Sequence, residues 1–250
     1  MFRIIRERFR QKHRTIAFPK GAPVLPDRFR GVPTLDQSKC PDGCEACAKA
    51  CPVDAIVPGK EFEIDLGKCL FCTDCTNACT QGALAFTQEF RMAASRREDL
   101  IWKTGEIKLA QAAGKDIKRL LGRSLKLREV SAAGCNACEA DTNVLSTVVF
   151  DLGRFGVQFV ASPRHADGLF ITGPVSKNME LGLKKTYDAV PAPKIVIACG
   201  ACAIAGGPFR DHPEVNNGAE GMVPVDLFVP GCPPHPLTIL DGILRFIGKI

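Results

Sequence analysis

The second half of the chain alternates short apolar runs with longer amphipathic stretches. Short buried strands separated by helices are typical of a parallel sheet with both faces covered. Ligands of such sheets bind in the loops beyond the carboxyl ends of the strands. The pattern predicts strands at 125–131, 157–161, 166–173, 195–199 and 225–229, and helices at 144–152, 175–190 and 237–247.

The first half has a different pattern. Residues 2–16 place apolar side chains along one edge of a predicted basic helix, and residues 19–33 form a proline-rich, extended approach. Residues 61–65 alternate apolar and charged side chains, as a strand does. Residues 89–124 are charged and mainly helical in pattern, which predicts a linker with one or two helices.

Charge is concentrated at the N-terminus. Residues 1–31 contain nine Lys or Arg against Glu7 and Asp27, a local charge of +7, whereas the other 24 basic and 25 acidic residues nearly cancel. A basic helix with an apolar edge can lie on an anionic membrane surface or pack on a membrane partner. A nucleic-acid arm and a solvated tail are the alternatives. Because no recognition module follows the helix, we expect no nucleic-acid partner.

Cysteine is the unusual component of an otherwise ordinary composition. The 250 residues include 13 Cys, 46% hydrophobic residues and 24% charged residues. The N-terminus carries no apolar secretory signal, so we expect a cytoplasmic protein with reduced thiols that bind metal. Disulfides would need an oxidising compartment, and zinc sites usually consist of two cysteine pairs with a longer spacing between them.

Eight cysteines lie in two similar blocks between Cys40 and Cys79. The second block has the C-x2-C-x2-C-x3-C spacing of bacterial ferredoxins, in which three thiolates hold one 4Fe–4S cube and the fourth reaches the other cube. The first block departs from it by one extra residue before Cys44, and no proline follows Cys79. The rule assigns one cluster to Cys40, Cys44, Cys47 and Cys79, and the other to Cys51, Cys69, Cys72 and Cys75.

The other cysteines fall in three loops of the predicted sheet. Cys135 and Cys138 follow its first strand, Cys199 and Cys202 end or follow its fourth, and Cys232 follows its fifth. Loops at one edge of a sheet can together supply four thiolates to a third cube. Neighbouring glycines permit tight turns and close backbone approach.

The N-terminal half resembles the ferredoxin-type, 23 kDa-like hydrophilic subunit of NADH:quinone oxidoreductase (complex I). The resemblance covers about residues 1–88 and depends on Leu25-Pro26-Asp27-Arg28-Phe29-Arg30-Gly31 leading into the two cysteine blocks. It implies an α+β ferredoxin-like 2×4Fe–4S domain whose N-terminal helix rests along the membrane arm.

The C-terminal half resembles the cluster-bearing subunit shared by nickel–iron hydrogenases and complex I, the 20 kDa subunit family. The elements that carry this resemblance are G-x-C-A-x-x-G-G, beginning at Gly200, and Pro230-Gly231-Cys232-Pro233-Pro234. It implies an α/β flavodoxin-like domain with a parallel sheet over about residues 122–250. By position it implies the ligands Cys135, Cys138, Cys202 and Cys232 for a third 4Fe–4S cluster, and leaves Cys199 as a spare buried thiol.

The spacing Cys135-x-x-Cys138-Glu139 resembles that of hydrogenase-type subunits, whereas the complex I branch has adjacent cysteines. Residues 161–167 and 172–175 also resemble the membrane-bound, formate-hydrogenlyase-like (group 4) members. Glu139 is a candidate proton relay, and His165 is either a contact to a partner or cluster or, as we expect, a surface histidine.

Together these features predict a chain organised in four segments. They are a basic helix and proline-rich arm (1–33), a 2×4Fe–4S ferredoxin domain (34–88), a helical linker (89–124) and a flavodoxin-like domain with a third cluster (125–250).

We therefore expect an electron-transfer subunit of a membrane-associated nickel–iron hydrogenase, peripheral on the cytoplasmic face of the cell membrane. Its expected partners are a hydrogenase large subunit, membrane-arm subunits docked by the N-terminal helix, and an electron-donor or acceptor protein. A nickel–iron site needs a second cysteine pair near the C-terminus, and residues 239–250 contain no cysteine, so the catalytic site belongs to another chain. The alternatives are a complex I-like quinone oxidoreductase subunit and an iron–sulfur redox sensor or scaffold.

Overall fold

The N-terminal half consists of short helices and strands around the two cysteine blocks. The computed structural model describes residues 2–103, 105, 107–121 and 123–250, without the side chain of Asp116. The predicted basic helix ends earlier than residue 16, because Lys12 has a positive φ of 54°. The elements are α1 (Phe2–Gln11), β1 (Pro33–Leu35), α2 (Ala46–Lys49), β2 (Ile56–Val57), β3 (Glu63–Asp65), α3 (Asp74–Ala78) and β4 (Leu84–Phe86).

The two cysteine blocks have the same order of secondary-structure elements. In each block a short helix, α2 or α3, is followed by a strand, β2 or β4. β1 pairs antiparallel with β4, and β2 pairs antiparallel with β3. The strand predicted at 61–65 is confirmed over Glu63–Asp65.

Residues 89–124 are less helical than predicted. The segment contains β5 (Ile101–Lys103) and α4 (Lys115–Leu121). Ile101 and Trp102 form a strand because β5 completes the sheet of β2 and β3, where Trp102 is opposite Ile64. Ala94 forms a bridge with Phe228 of the C-terminal half. The segment therefore joins both halves by backbone pairing.

The C-terminal half is built on a parallel sheet, as predicted. Its strand order is β10-β9-β8-β6-β7, and every neighbouring pair is parallel. The elements are β6 (Leu125–Ser131), α5 (Ala137–Val144), β7 (Val157–Phe159), β8 (Gly168–Thr172), α6 (Lys177–Ala189), β9 (Ile195–Cys199), α7 (Gly200–Ala205), β10 (Leu227–Val229) and α8 (Pro236–Phe246), and 3-10 turns lie at Gln37–Lys39, Arg97–Leu100, Leu152–Phe155, Pro163–His165 and Gly207–Phe209.

The prediction of a helix at 144–152 is wrong. The helix α5 lies earlier, and the backbone after it turns so that the N–H of Leu152 donates to the carbonyl of Leu145 at 2.9 Å. Two carbonyls of this segment accept hydrogen bonds from the N-terminal arm, at 3.0 Å from Thr15 Oγ1 and at 2.9 Å from the N–H of Ile16. These tertiary contacts hold the segment in a non-helical conformation, although its apolar spacing indicated a helix.

The hydrophobic core joins the two halves. One cluster of buried residues brings Ile64, Leu66 and Trp102 of the N-terminal half and linker together with Ile204 and Phe228 of the C-terminal half. Another packs α8 on one face of the parallel sheet, and a third packs α6 on the other. The carboxyl-end loops of the sheet consequently lie against the second cysteine block. In the part of the chain that is described, no helix is long and apolar enough to cross a membrane.

Candidate metal centres

The first group of cysteines combines three thiols of the first block with the last thiol of the second. Cys40 and Cys44 flank a turn that contains Gly43 at φ 73°, which accommodates the extra residue of this block. Burial raises the pKa of Cys40, and the charges of Cys44 and Cys79 raise it further. Such coupling requires nearby sulfurs. The pKa of Cys47 is also raised, chiefly by burial and in part by Cys40 and Cys44.

The second group combines Cys51 with three thiols of the second block. Burial raises the pKa of Cys69 to about 12, with contributions from Cys75, Cys51 and Cys72, and raises that of Cys75 to about 11, with contributions from Cys72 and Cys51. Cys51 of the first block therefore lies near thiols of the second block. All four thiols line one pocket whose other walls are mainly apolar: Pro52, Val53, Ala55, Ile56, Ile64, Leu70 and Phe86.

Backbone N–H groups point at sulfurs of both groups. Ala55 donates to Cys51 Sγ and Ala83 donates to Cys79 Sγ, each at 3.3 Å and each from four residues after the cysteine. Phe71, which has a φ of 53°, donates to Cys69 Sγ at 3.3 Å. Amide donors of this kind stabilise thiolates, which are the form that binds metal.

The third group lies at the carboxyl ends of the parallel strands. Cys135 precedes α5, Cys138 lies within it, Cys202 is on α7 and Cys232 follows β10. Burial and the charges of Cys202, Glu139, Cys232 and Cys135 raise the pKa of Cys138, and burial with Cys232 and Cys135 raises that of Cys202 to about 12. The four thiols therefore lie together, and Cys135 and Cys232 are exposed.

Two glycines keep space open beside these sulfurs. A Cβ on Gly200 would lie 2.6 Å from Cys138 Sγ, and a Cβ on Gly207 would lie 2.6 Å from Cys202 Sγ. Both have φ values, 90° and 56°, that disfavour any other residue. The thiolate donors, the amide donors and this free space fit 4Fe–4S clusters, which are held by four cysteine thiolates.

A single metal ion has different requirements. Within the described residues, no three His, Cys, Asp or Glu side chains are grouped to hold one ion. A 4Fe–4S cube does not need such convergence, because each thiolate binds its own corner of the cube.

The second group neighbours both of the others. Cys47 of the first group contributes to the raised pKa of Cys75 in the second. Cys72 of the second contributes, after burial and Cys135, to the raised pKa of Cys232 in the third. Thiols of the second group therefore lie near thiols of each of the other two groups.

Glu139 ties the third group to the sheet. Its buried Oε1 accepts hydrogen bonds from Ser131 Oγ at 2.5 Å and Thr172 Oγ1 at 2.7 Å, at the ends of β6 and β8. Burial opposes ionisation, but these two donors outweigh it and lower the pKa of Glu139. A buried carboxylate accepting two hydrogen bonds fixes the start of α5 on the sheet.

Cys199 and His165 are not assigned to the three groups. Cys199 is fully buried at the end of β9, and burial, with the charge of the neighbouring Cys138, holds its pKa well above the ordinary value. His165 is an exposed residue of a 3-10 turn.

Sequence reasoning missed His235, which joins the proline-rich arm to the third group. Its Nδ1 accepts from the N–H of Leu237 at 3.2 Å and caps α8, and its ring packs edge-on against Phe29 with ring centres 5.3 Å apart. Burial lowers its pKa. The nearby Arg30 guanidinium donates to the carbonyl of Phe71. The only available sequence signal was a histidine directly before a proline at a helix start.

Known proteins match mainly the C-terminal half. Residues 135–246 match the family described as NADH ubiquinone oxidoreductase, 20 Kd subunit. The probable membrane-bound hydrogenase subunit mbhJ of Pyrococcus furiosus is 42% identical over 132 residues, 53% of this chain and 79% of that protein. Formate hydrogenlyase subunit 7 of Escherichia coli is 41% identical over 128 residues, 51% of this chain and 50% of that protein.

One further relative and one solved structure also match part of the chain. A subunit of the NADH-quinone oxidoreductase of Heliobacterium modesticaldum is 40% identical over 120 residues, 48% of this chain and 69% of that protein. A solved structure of the membrane-bound sulfane sulfur reductase, an archaeal respiratory membrane complex, aligns at a TM-score of 0.47 and 32% identity over 53% of this chain and 73% of that chain. The identity to the Pyrococcus protein over most of that protein's length shows that the chain belongs to the NADH ubiquinone oxidoreductase 20 Kd subunit family, whose relatives here are subunits of membrane-bound hydrogenases and of NADH-quinone oxidoreductases.

Proposed function

We propose that the chain is an electron-relay subunit of a membrane-associated nickel–iron hydrogenase and binds three 4Fe–4S clusters. The observation that supports this proposal is that four thiols line one pocket and that their neighbours include thiols of both other proposed groups. The names of the relatives, a probable membrane-bound hydrogenase subunit in Pyrococcus and a formate hydrogenlyase subunit in Escherichia, support the kind of complex. The first two clusters would occupy a ferredoxin domain at 34–88, and the third a flavodoxin-like domain at 125–250.

Twelve cysteines would act as ligands, in the three groups described above. A bound 4Fe–4S cluster accepts and releases single electrons at a potential that its surroundings adjust. The chain supplies the thiolates, the amide donors of Ala55, Phe71 and Ala83, and the apolar walls that keep water from the second group.

The third group would face the catalytic partner. Cys135 and Cys232 are exposed, whereas Cys138 and Cys202 are covered to a greater extent. The open side of this group gives a separate large subunit direct access. The first group would be the entry or exit point for an electron-donor or acceptor protein.

Membrane subunits would hold the N-terminal helix. No side chain of α1 is buried, and Phe2, Ile4 and Phe9 are 87%, 76% and 78% exposed. Four arginines lie on the same helix: Arg3, Arg6, Arg8 and Arg10. An exposed apolar edge beside cationic side chains suits the cytoplasmic surface of an anionic membrane or a membrane-bound partner.

Anaerobic purification with metal analysis tests the proposal. We expect about twelve iron atoms and as many sulfides per chain, with paramagnetic signals after reduction by dithionite. A nickel-containing subunit should co-purify. Colourless, magnetically silent protein would contradict the cluster assignment, and a complex without nickel would contradict the hydrogenase assignment alone.

A quinone-reducing complex is the second candidate, because a subunit of NADH-quinone oxidoreductase is also among the relatives. In that case the partner at the third group would contain no nickel, and the purified complex would reduce a quinone analogue. Hydrogen-dependent dye reduction and quinone reduction by the same preparation distinguish the two candidates.

A further inference from the structure

The second and third cysteine groups are joined by a close backbone contact. Gly67 lies two residues before Cys69 of the second group, and Ile204 lies two residues after Cys202 of the third. A Cβ on Gly67 would lie 2.8 Å from Ile204 Cγ2. The backbone of the loop leading to the second group therefore packs directly against the Ile204 side chain of α7.

Asp65 organises that loop. Its Oδ1 accepts from the N–H groups of Gly67 at 3.0 Å and Lys68 at 3.3 Å. Its carbonyl accepts from the N–H groups of Lys68 at 3.1 Å and Cys69 at 3.0 Å. The position of Cys69 relative to β3 thus depends on one aspartate, both through its side chain and through its backbone.

Arg97 in turn holds Asp65 from the linker. Its Nη1 donates to Asp65 Oδ1 at 2.8 Å and its Nη2 donates to Oδ2 at 2.7 Å, and the two side chains are only 18% and 12% exposed. The guanidinium also covers Gly67, since a Cβ there would lie 2.9 Å from Arg97 Cζ. A planar guanidinium makes this paired contact, and a lysine ammonium cannot reproduce it.

We propose that Asp65, Gly67 and Arg97 are positioning residues that fix the separation of the second and third cysteine groups. The inference rests on the proposed function, because that separation matters only if both groups hold clusters. None of the three residues supplies a thiolate. Their effect reaches the clusters through the placement of Cys69 on one side and of α7, with Cys202, on the other.

Two substitutions in the full chain, purified anaerobically within its complex, test the inference. Arg97→Lys removes the paired contact and keeps the charge, and Gly67→Ala inserts a methyl group between the loop and Ile204. The matched controls are Arg96→Lys, at an exposed neighbour paired with Asp99, and Gly114→Ala, where a Cβ would meet no atom of the described residues within 4 Å.

The measurements are iron per chain and the electron paramagnetic resonance spectrum of the reduced protein. Clusters held a fixed distance apart split each other's signals, and this splitting depends steeply on their separation. We expect full iron content in all four variants, with the splitting between the second and third clusters changed or lost in Arg97→Lys and Gly67→Ala and unchanged in both controls.

Two outcomes would overturn the inference and leave the proposed function standing. One is an unchanged splitting in both test variants at full iron content. The other is loss of iron from both test variants. That loss would show that the residues are needed to bind a cluster, and not that they set the distance between the second and third clusters. A parent protein without iron would instead overturn the proposed function itself.

Discussion

Cys199 and Cys202 lie three residues apart in different surroundings. Cys199 is completely buried within the sheet, whereas Cys202 lies beside Cys232 and Cys135. Replacing Cys202 by serine should remove the third cluster and about four iron atoms per chain, because a cluster needs its full set of thiolates. Replacing Cys199 by serine should leave the iron content unchanged. Iron analysis with spectra of the reduced protein checks both, and equal losses from the two variants would contradict the ligand assignment.

Glu129 gives a pH-dependent prediction. Burial, with the charge of Glu139, raises its pKa from 4.5 to about 7, and no described residue donates a hydrogen bond to its buried Oε1. A carboxyl group with a raised folded-state pKa contributes stability below pH 4.5 that is lost as the pH rises through about 7. Glu129→Gln stays neutral, so its melting temperature relative to the parent should rise between pH 5 and pH 8.

The control for this prediction is Glu220→Gln, at an exposed glutamate. Its effect on the melting temperature should not change with pH. A constant offset for Glu129→Gln across that range would show that the carboxyl group does not titrate there.

Sequence spacing predicts that Cys51 and Cys79 exchange between the two blocks, and Cys51 does line one pocket with thiols of the second block. The assignment of four ligands to each cluster stays a prediction. Sequence spacing could not predict the pairing of Asp65 with Arg97. These residues are 32 positions apart, and nothing local distinguishes them from other charged residues. The same applies to His235, whose contact with Phe29 depends on how the two halves pack.

At the scale of elements, strands were easier to predict than helices. β8 and β9 are apolar runs that are buried on both faces, and β6 begins with the alternation of apolar and polar residues that is typical of a strand. α7 escaped prediction because Gly200–Ala205 is short and wholly buried, so it has no polar face to reveal a helical period. The position of α5 was not predicted, because the apolar spacing of residues 144–152, which follow it, indicated a helix there instead.

The helix α1 offers a prediction about association. Replacing Phe2 and Phe9 by serine should leave the melting temperature nearly unchanged, because both side chains are exposed. The same change should release the protein from its membrane fraction, because the helix loses its apolar edge. Val24→Ser is the matched control, since Val24 is 98% exposed and lies outside the helix. Retention of the double variant in the membrane fraction would contradict a docking role for α1.

At the scale of the whole molecule, the two halves depend on each other. Residues 125–250 alone would expose apolar side chains such as Ile204 and Phe228, which the N-terminal half covers. Each such side chain contributes about 1.5–3 kcal/mol when buried. This fragment should therefore bind hydrophobic dyes or aggregate. Deletion of residues 2–11 should not have that effect, because none of these residues is buried. A monomeric fragment that melts like the full chain would contradict this dependence.

The shared core also has a consequence for synthesis on the ribosome. Leu66 and Phe228 pack in one cluster, and the chain between them takes roughly 10–30 s to translate at roughly 5–20 residues per second. During that interval the last strand has not yet been synthesised, so the apolar surface of the first half, which also contains eight thiols, is uncovered. If the chain holds the proposed clusters, that interval allows iron to be loaded into the nascent first half before the core closes.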